Sequence, residues 1–496
     1  MERETVEFSM KKFCLLFLFL MGMISARAII IPRDSAVLNY TNVAFEFPPI
    51  AKAEYYKLQF KKAGQTEYFH TQYDSTHVSF CSFFEFGEEY EWKYTAYDAK
   101  SFVLFDSQIF HFSVSGNRAY DTVFYGGLRR GDYSGKGFIV VDQSKNVIDI
   151  KGHEVWRMPQ LKNFPITNQL NMRDLRMTKS GTFTAIIANS NAIEFDRDGN
   201  VLWTAPESWL GKESGLENYH HDFRKLNKGT YMVMSQKEAD VYIDTTNKYI
   251  NEALKVGMRN PEKGNLNYRE AFGTIIEYSE KGEVVWTWSS KDFLSARIYD
   301  GWSPMPAHSN AFYFDEINNH LYYGFRNINS IIKVEYPSGK VLASFGAKLS
   351  NNHKVIAENT FALQHSVELR KNGDLLIFNN DSADVEQVQS SLLILNEQLT
   401  KQDKIVKQIS CAIDNQDLGK AYKYGSAEEL PDGKLLLGIG GTGRAVILDP
   451  SKDYAVVQDL SLKIYELKNW VPLVFYRCHY SPSMYPCYFS VKTSVK

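Results

Sequence analysis

Cysteine and proline are scarce, 5 and 15 in 496 residues. No two cysteines have Cys-x-x-Cys spacing, which removes the usual zinc-ribbon and dithiol redox motifs. Long runs of like charge are also missing. With 56 basic and 58 acidic residues, the chain carries no nucleic-acid footprint, and any positive site must be local. No glycine-rich turn of the phosphate-cradling kind joins a strand to a helix. The apolar run Phe13 to Ile24 is too short to cross a bilayer. What the chain has in quantity is apolar surface, at 44% hydrophobic and 14% aromatic residues. That is ample for sizeable cores, and the length suggests two or more domains.

The first 28 residues read as a secretory signal: Lys11 and Lys12, the apolar run, then Ser25-Ala26-Arg27-Ala28. Glu2, Glu4 and Glu7 are unusual for such a segment and leave both Met1 and Met10 as candidate translation starts. The expected product is a periplasmic or secreted protein without membrane insertion. Export makes disulfides chemically available. Cys478 and Cys487 lie close enough in sequence to close a small loop, with two buried thiols as the alternative, and the pairing of Cys81 and Cys411 cannot be read.

Residues 29–115 alternate apolar and polar side chains between turn signals, as in Tyr56-Lys-Leu-Gln-Phe and Tyr90-Glu-Trp-Lys-Tyr. This predicts a small β-sandwich of the immunoglobulin or fibronectin III kind. Its edge strands offer a route to a homodimer. Glycine-rich residues 116–136 read as a linker. Beyond it one hairpin is written repeatedly: Ile193-Glu-Phe-Asp-Arg-Asp-Gly-Asn-Val-Leu-Trp203, Ile276-Glu-Tyr-Ser-Glu-Lys-Gly-Glu-Val-Val-Trp286 and Ile332-Lys-Val-Glu-Tyr-Pro-Ser-Gly-Lys-Val-Leu342. A second hairpin recurs between these, at Leu175–Gly181, Leu226–Gly229, Leu369–Gly373 and Leu430–Gly433. Two hairpins make a four-stranded blade. Residues 137–496 are therefore expected to be an all-β, six-bladed β-propeller with a C-terminal tail, and Asn- and Lys-rich residues 233–270 an insertion in its third unit.

Inner strands of a propeller face one axis, so residues at equivalent places form a ring. His221 and His365 occupy such places, in Tyr219-His220-His221-Asp222-Phe223 and Leu363-Gln364-His365-Ser366-Val367. His308 opens its own unit, and Arg326 follows one hairpin turn later. A one-residue register slip would exchange His220 for His221. Imidazole and guanidinium groups without matching carboxylates suit an anion rather than a metal. No cofactor or metal is expected. A neutral histidine is a competent nucleophile toward sulfur or phosphorus, and fixed cations stabilise the anionic transition state. The other histidines, His153, His320, His353 and His479, are assigned to turns or surface.

At these residues the chain resembles the bacterial arylsulfate sulfotransferases, exported enzymes with an N-terminal sandwich and a six-bladed propeller. The resemblance covers about residues 120–450 and rests on His220-His221-Asp222, on His308-Ser309-Asn310 with Arg326, and on Gln364-His365. It implies transfer of a sulfuryl group from a phenolic sulfate ester to an acceptor phenol, without a nucleotide donor. His365 would be the nucleophile and become a sulfohistidine, with His308, Arg326 and His221 holding the sulfuryl oxygens or handling the phenol proton. Asn310 and His220 would contact substrate. Family members carry an Asp-Trp pair just before the histidine matching His308, whereas Asp300 and Trp302 stand further upstream here. Two other readings compete: a carbohydrate- or sulfate-binding propeller without catalysis, and a quinone-dependent dehydrogenase-like propeller.

Overall fold

The computed structural model describes residues 30–120, 123–164, 172–187, 191–206, 219–244, 265–291, 293, 307–346, 354–358, 360–381, 389–398, 405–413, 421 and 423–486. Side chains are described in all of these except 238–244, 265–271 and 354–358. The chain divides into two compact units between Asn117 and Arg118. Both are built from strands. Among the described residues no helix is long and apolar enough to cross a membrane.

In the first unit, alternation along Tyr55–Lys62 buries Tyr56, Leu58 and Phe60 on one face, as a half-buried strand requires. This strand lies in a sheet ordered Ala36–Leu38, Phe110–Val114, Glu89–Tyr97, Tyr55–Lys62, His70–Asp74, with Val103–Asp106 paired to Glu89–Tyr97. Val43–Glu46 and Val78–Cys81 form a separate two-stranded sheet. The core is aromatic. Phe45 meets Trp92 edge-on at 4.8 Å and Phe60 at 4.9 Å, and Phe47 stacks on Tyr94 at 4.0 Å.

Among the described residues the second unit contains six sheets, numbered I to VI in chain order, in a propeller-like succession. The repeated hairpin is capped from within its own turn, by Asp196 in the first copy and by Ser279 in the second. Asp196 accepts from the amides of Asp198 and Asn200 at 3.0 and 2.9 Å, and Gly199 supplies φ of +78°. Sheet II shows the plan: Met172–Met177, Phe183–Ile187, Asn191–Phe195, Val201–Thr204 in sequence order. Its second strand is wholly buried, and its outermost is half exposed. Sheet III is Phe223–Lys225, Tyr231–Asp244, Asn265–Tyr278 and Val284–Ser289, and sheet V is Ser366–Leu369, Asp374–Asn379, Ser391–Asn396 and Ile405–Ser410. Sheet IV runs Ser309–Asp315, His320–Phe325, Ser330–Glu335, Val341–Gly346, with Lys354–Glu358 added in parallel.

Consecutive sheets share apolar clusters, such as Ile186 and Trp203 of sheet II with Phe223 and Tyr231 of sheet III. Met232 and Ile275 of sheet III pack with Phe312 and Leu321 of sheet IV. The pattern returns on itself: Ile139 and Ile148 of sheet I lie in one cluster with Leu436 and Ile447 of sheet VI.

Three expectations are corrected. Residues 116–136 are more than a linker, because Phe124–Gly131 is a strand paired with Gln458–Ile464 in sheet VI. Gly126 serves close approach to sheet I: a side chain there would run into the carbonyl of Gly152, in the turn between Asn146–Asp149 and Glu154–Arg157. The C-terminal segment is no simple tail. Cys478–Ser481 pairs with Phe138–Val141, so sheet I combines Glu154–Arg157, Asn146–Asp149 and Phe138–Val141 with a strand some 340 residues later. Nor does Cys478 close a disulfide loop; it is a free thiol inside the cluster between sheets VI and I, and Cys487 lies outside the described residues. Cys81 and Cys411 are also free and buried. Of stretch 233–270, residues 233–244 and 265–270 lie in the long paired strands of sheet III, and 245–264 lie outside the described residues.

Gly425 opens the first strand of sheet VI with φ of +116°, and a β-carbon there would collide with the ring of Phe378. Gly425→Ala is expected to destabilise the chain by about 2–3 kcal/mol, read as a lowered urea midpoint. Gly373→Ala, at φ +88° with open space around it, should cost only about 1 kcal/mol.

Candidate active site

Each inner strand of sheets II to V begins with a short polar segment, and several of these residues take left-handed backbone: His221 at φ +64°, His308 at +53°, Leu363 at +52° and Tyr424, ahead of sheet VI, at +73°. Such conformations cost of order 1 kcal/mol and persist where surroundings over-determine them. Here side chains staple each sheet to the next. Asp142 of sheet I accepts from the amide of Asp174 at 3.3 Å, Asp174 from Phe223 at 2.9 Å, and Asp222 from Phe312 at 3.1 Å. Asn310 donates to the carbonyl of Gln364 at 2.7 Å, and Asn380 to that of Tyr424 at 2.9 Å. Ser426 donates to the carbonyl of Cys478 at 3.1 Å, which returns to sheet I.

Within this ring the structure gathers His221, His308, Arg326 and His365. The rings of His221 and His308 meet edge-on at 5.0 Å. Arg326 and His308 are joined through the backbone, amide to carbonyl, at 2.9 Å. Tyr476 stands between the remaining members, its ring 4.8 Å from that of His365 and 5.9 Å from that of His221. Tyr424 closes on both His365 and Tyr476, at 5.9 and 5.6 Å.

All these histidines are held neutral. Burial, then the positive charges of Arg477 and Arg326, push His365 well below its ordinary range. Burial, then His220, His308 and Arg173, do the same to His221. His308 is pushed down to about 4 by burial, then by Arg326 and Arg173. The positive charge of the site therefore resides on guanidinium groups, which do not titrate.

His220 and Asn310 sit behind this surface rather than on it. His220 is fully buried, with Nδ1 2.7 Å from Nδ1 of His221, and burial pushes it down to about 3. Asn310 is fully buried with its amide spent on Gln364, immediately before His365. Both shape the site by holding a neighbour. His479, expected at a turn or surface, is buried between Asp174 at 3.2 Å and Glu428 at 3.4 Å. Burial and Arg176 oppose its charge, but those two carboxylates outweigh them and raise its pKa. His153 is exposed beside Asp149, His320 is half-buried at a strand start, and His353 lies outside the described residues, as do Asp300 and Trp302.

Sequence reasoning missed Tyr476, Arg477, Tyr424 and Arg173. For Arg173 a signal existed: Arg173-Asp174-Leu175-Arg176 and His221-Asp222-Phe223-Arg224 share one pattern, placing Arg173 where sheet III has His221. Its guanidinium lies 5.8 Å from the ring of Tyr476. Among the described residues no group of His, Cys, Asp and Glu is arranged to hold a metal ion.

An all-β unit of repeated sheets, with neutral histidines and fixed guanidinium groups gathered from several of them, defines an anion-handling site. The arylsulfotransferase (ASST) family model matches residues 136–417, and the chain belongs to that family. It is accordingly a sulfotransferase, acting between a small-molecule donor and acceptor. No curated protein sequence matches the chain. Solved structures resemble it only distantly. A candidate 6-phosphogluconolactonase from Bacteroides fragilis is 11% identical with a TM-score of 0.31, over 88% of this chain and all of that one. An auxiliary nutrient binding protein from Bacteroides thetaiotaomicron is 8% identical with a TM-score of 0.32, over 93% and 96%.

Asn310→Ala would leave the Gln364 carbonyl unpaired, at a stability cost of about 1–3 kcal/mol. Because Gln364 precedes His365, kcat should fall while KM stays near its original value, which steady-state kinetics on the folded variant would check.

Proposed function

We propose that the chain is an exported arylsulfate sulfotransferase that moves a sulfuryl group between phenols by a ping-pong reaction, through a sulfohistidine at His365 and without a nucleotide donor. The observation carrying this reading is the convergence of a neutral His365 with His308, His221 and Arg326 in one cluster. In the same reading the six sheets are the blades of a propeller closed by Cys478–Ser481, and the first unit is an immunoglobulin-like sandwich. Residues 1–28 are its cleavable signal.

In the first half-reaction a ring nitrogen of His365 attacks the sulfur of the donor. An N–S bond forms as the S–O bond to the aryl group breaks, leaving its electron pair on the phenolate. Sulfonation makes the remaining ring N–H of His365 acidic, and that proton neutralises the phenolate, with His308 and His221 placed to carry it. Arg326 holds the sulfuryl oxygens as negative charge spreads over them. An acceptor phenol then attacks the sulfur, the N–S bond breaks, and the acceptor's proton returns to His365.

A nucleophilic histidine must be unprotonated, and the depressed pKa values keep it so in mild acid. Release of phenol from a chromogenic aryl sulfate is expected to hold its kcat/KM from pH 7 downward and to fall near pH 4, where His308 gains its proton. A fall centred at the ordinary histidine value of about 6.5 would count against this environment. His365→Ala should lose turnover by about 1000-fold or more. In the parent protein, intact mass after exposure to an aryl sulfate should rise by one sulfuryl group mapped to His365. Equal chromophore release with and without an acceptor phenol would mean hydrolysis and sink the transferase reading.

A further inference from the structure

Arg477 is fully buried at the entrance of the closing strand of sheet I, and five groups converge on it. Nη1 donates to Asp222 at 2.6 Å and to Asp174 at 3.2 Å. Nη2 donates to the main-chain carbonyls of Asn310 at 2.9 Å and His365 at 3.3 Å, and lies 3.5 Å from the hydroxyl of Tyr476. Its own amide donates to Asp142 at 2.8 Å. The side chain thus touches sheets II to V at the level of the histidine cluster, and the main-chain amide adds sheet I. Two of its contacts fix residues already placed in the site, the backbone of His365 and the ring of Tyr476 packed against it.

We propose that Arg477 is the positioning residue for His365. Its planar fork fixes the histidine's backbone relative to Asn310, and its charge, permanently beside the imidazole, favours the uncharged ring that nucleophilic attack requires. The two carboxylates hold that charge in place: burial alone would raise Asp174, yet Arg176, Arg477 and His479 keep it well below the usual carboxylate range. This assignment deepens the sulfuryl-transfer reading and rests on it for its kinetic consequence. Its structural consequence, the state of the His365 ring, can be read without turnover.

The test compares the full chain with Arg477→Gln and Arg477→Lys. For the parent, ¹⁵N spectra of the histidine side chains at pH 7 should give His365 as one neutral tautomer. Arg477→Gln should lose that single-tautomer signature, and its kcat for a chromogenic aryl sulfate should fall about 100-fold, as expected for a reacting group displaced by about 1 Å, with KM changed less than about threefold. Arg477→Lys keeps the charge but not the fork. It should keep the uncharged ring and recover about a tenth of the parent kcat. Parent kcat in either variant overturns the proposal, as does loss of kcat in a folded Arg477→Gln whose His365 tautomer is unaltered. Where Arg477→Gln does not fold, the lysine variant decides by the same two measurements. If the parent itself transfers no sulfuryl group, the enzymatic reading fails, while the ring spectra still decide whether Arg477 sets the state of His365.

Discussion

A guanidinium without water must find its counter-charge in the protein, and for Arg477 that counter-charge is the pair Asp174 and Asp222. A buried charge left unpaired costs several kcal/mol, so these three residues are obliged to stay together. Each carboxylate also accepts a main-chain amide of the following sheet. Asp222 is shared further with Arg176 at 3.2 Å and Arg224 at 3.4 Å, and both arginines reach Glu368 of sheet V. The requirement to neutralise one buried cation is thereby converted into a set of contacts joining consecutive sheets around the site.

The same cations account for the chemistry. Desolvation and neighbouring positive charge both disfavour imidazolium, so the histidines stay neutral while the arginines remain charged. Site residues divide accordingly: His365, His308 and His221 can form bonds or pass protons, and Arg326 can only attract and orient. Tyr476 stands against the rings of both His365 and His221, and burial raises its pKa, so its phenol remains protonated.

Much of the fold was legible because its elements are local and repeated. Two copies of the hairpin cap their own turns, through Asp196 and through Ser279, within four residues of chain. Equivalent positions in that repeat also brought His221 and His365 to notice. Contacts made across sequence were not legible. Phe124–Gly131 has the composition of a linker, yet it pairs with sheet VI, and Gly126 lets it pass close to Gly152 of sheet I. Cys478 was read against its neighbour Cys487 in sequence, whereas its thiol packs among residues of sheets VI and I. His479 looks like a terminal surface residue until Asp174 and Glu428 close on it. Asn310 and His220 share sequence motifs with the site residues, but their side chains turn into the packing behind them.

By itself the sequence determined the strand pattern, the hairpin repeat and the residue types available to an anionic substrate, because periodicity and turn chemistry act over a few neighbouring residues. Only the tertiary structure decided which cation would stand beside His365. Arg477 immediately precedes a strand whose partner lies some 340 residues earlier, and no local pattern marks it. Its role arises when that strand pairs with Phe138–Val141 and buries a charge that Asp174 and Asp222 must then balance.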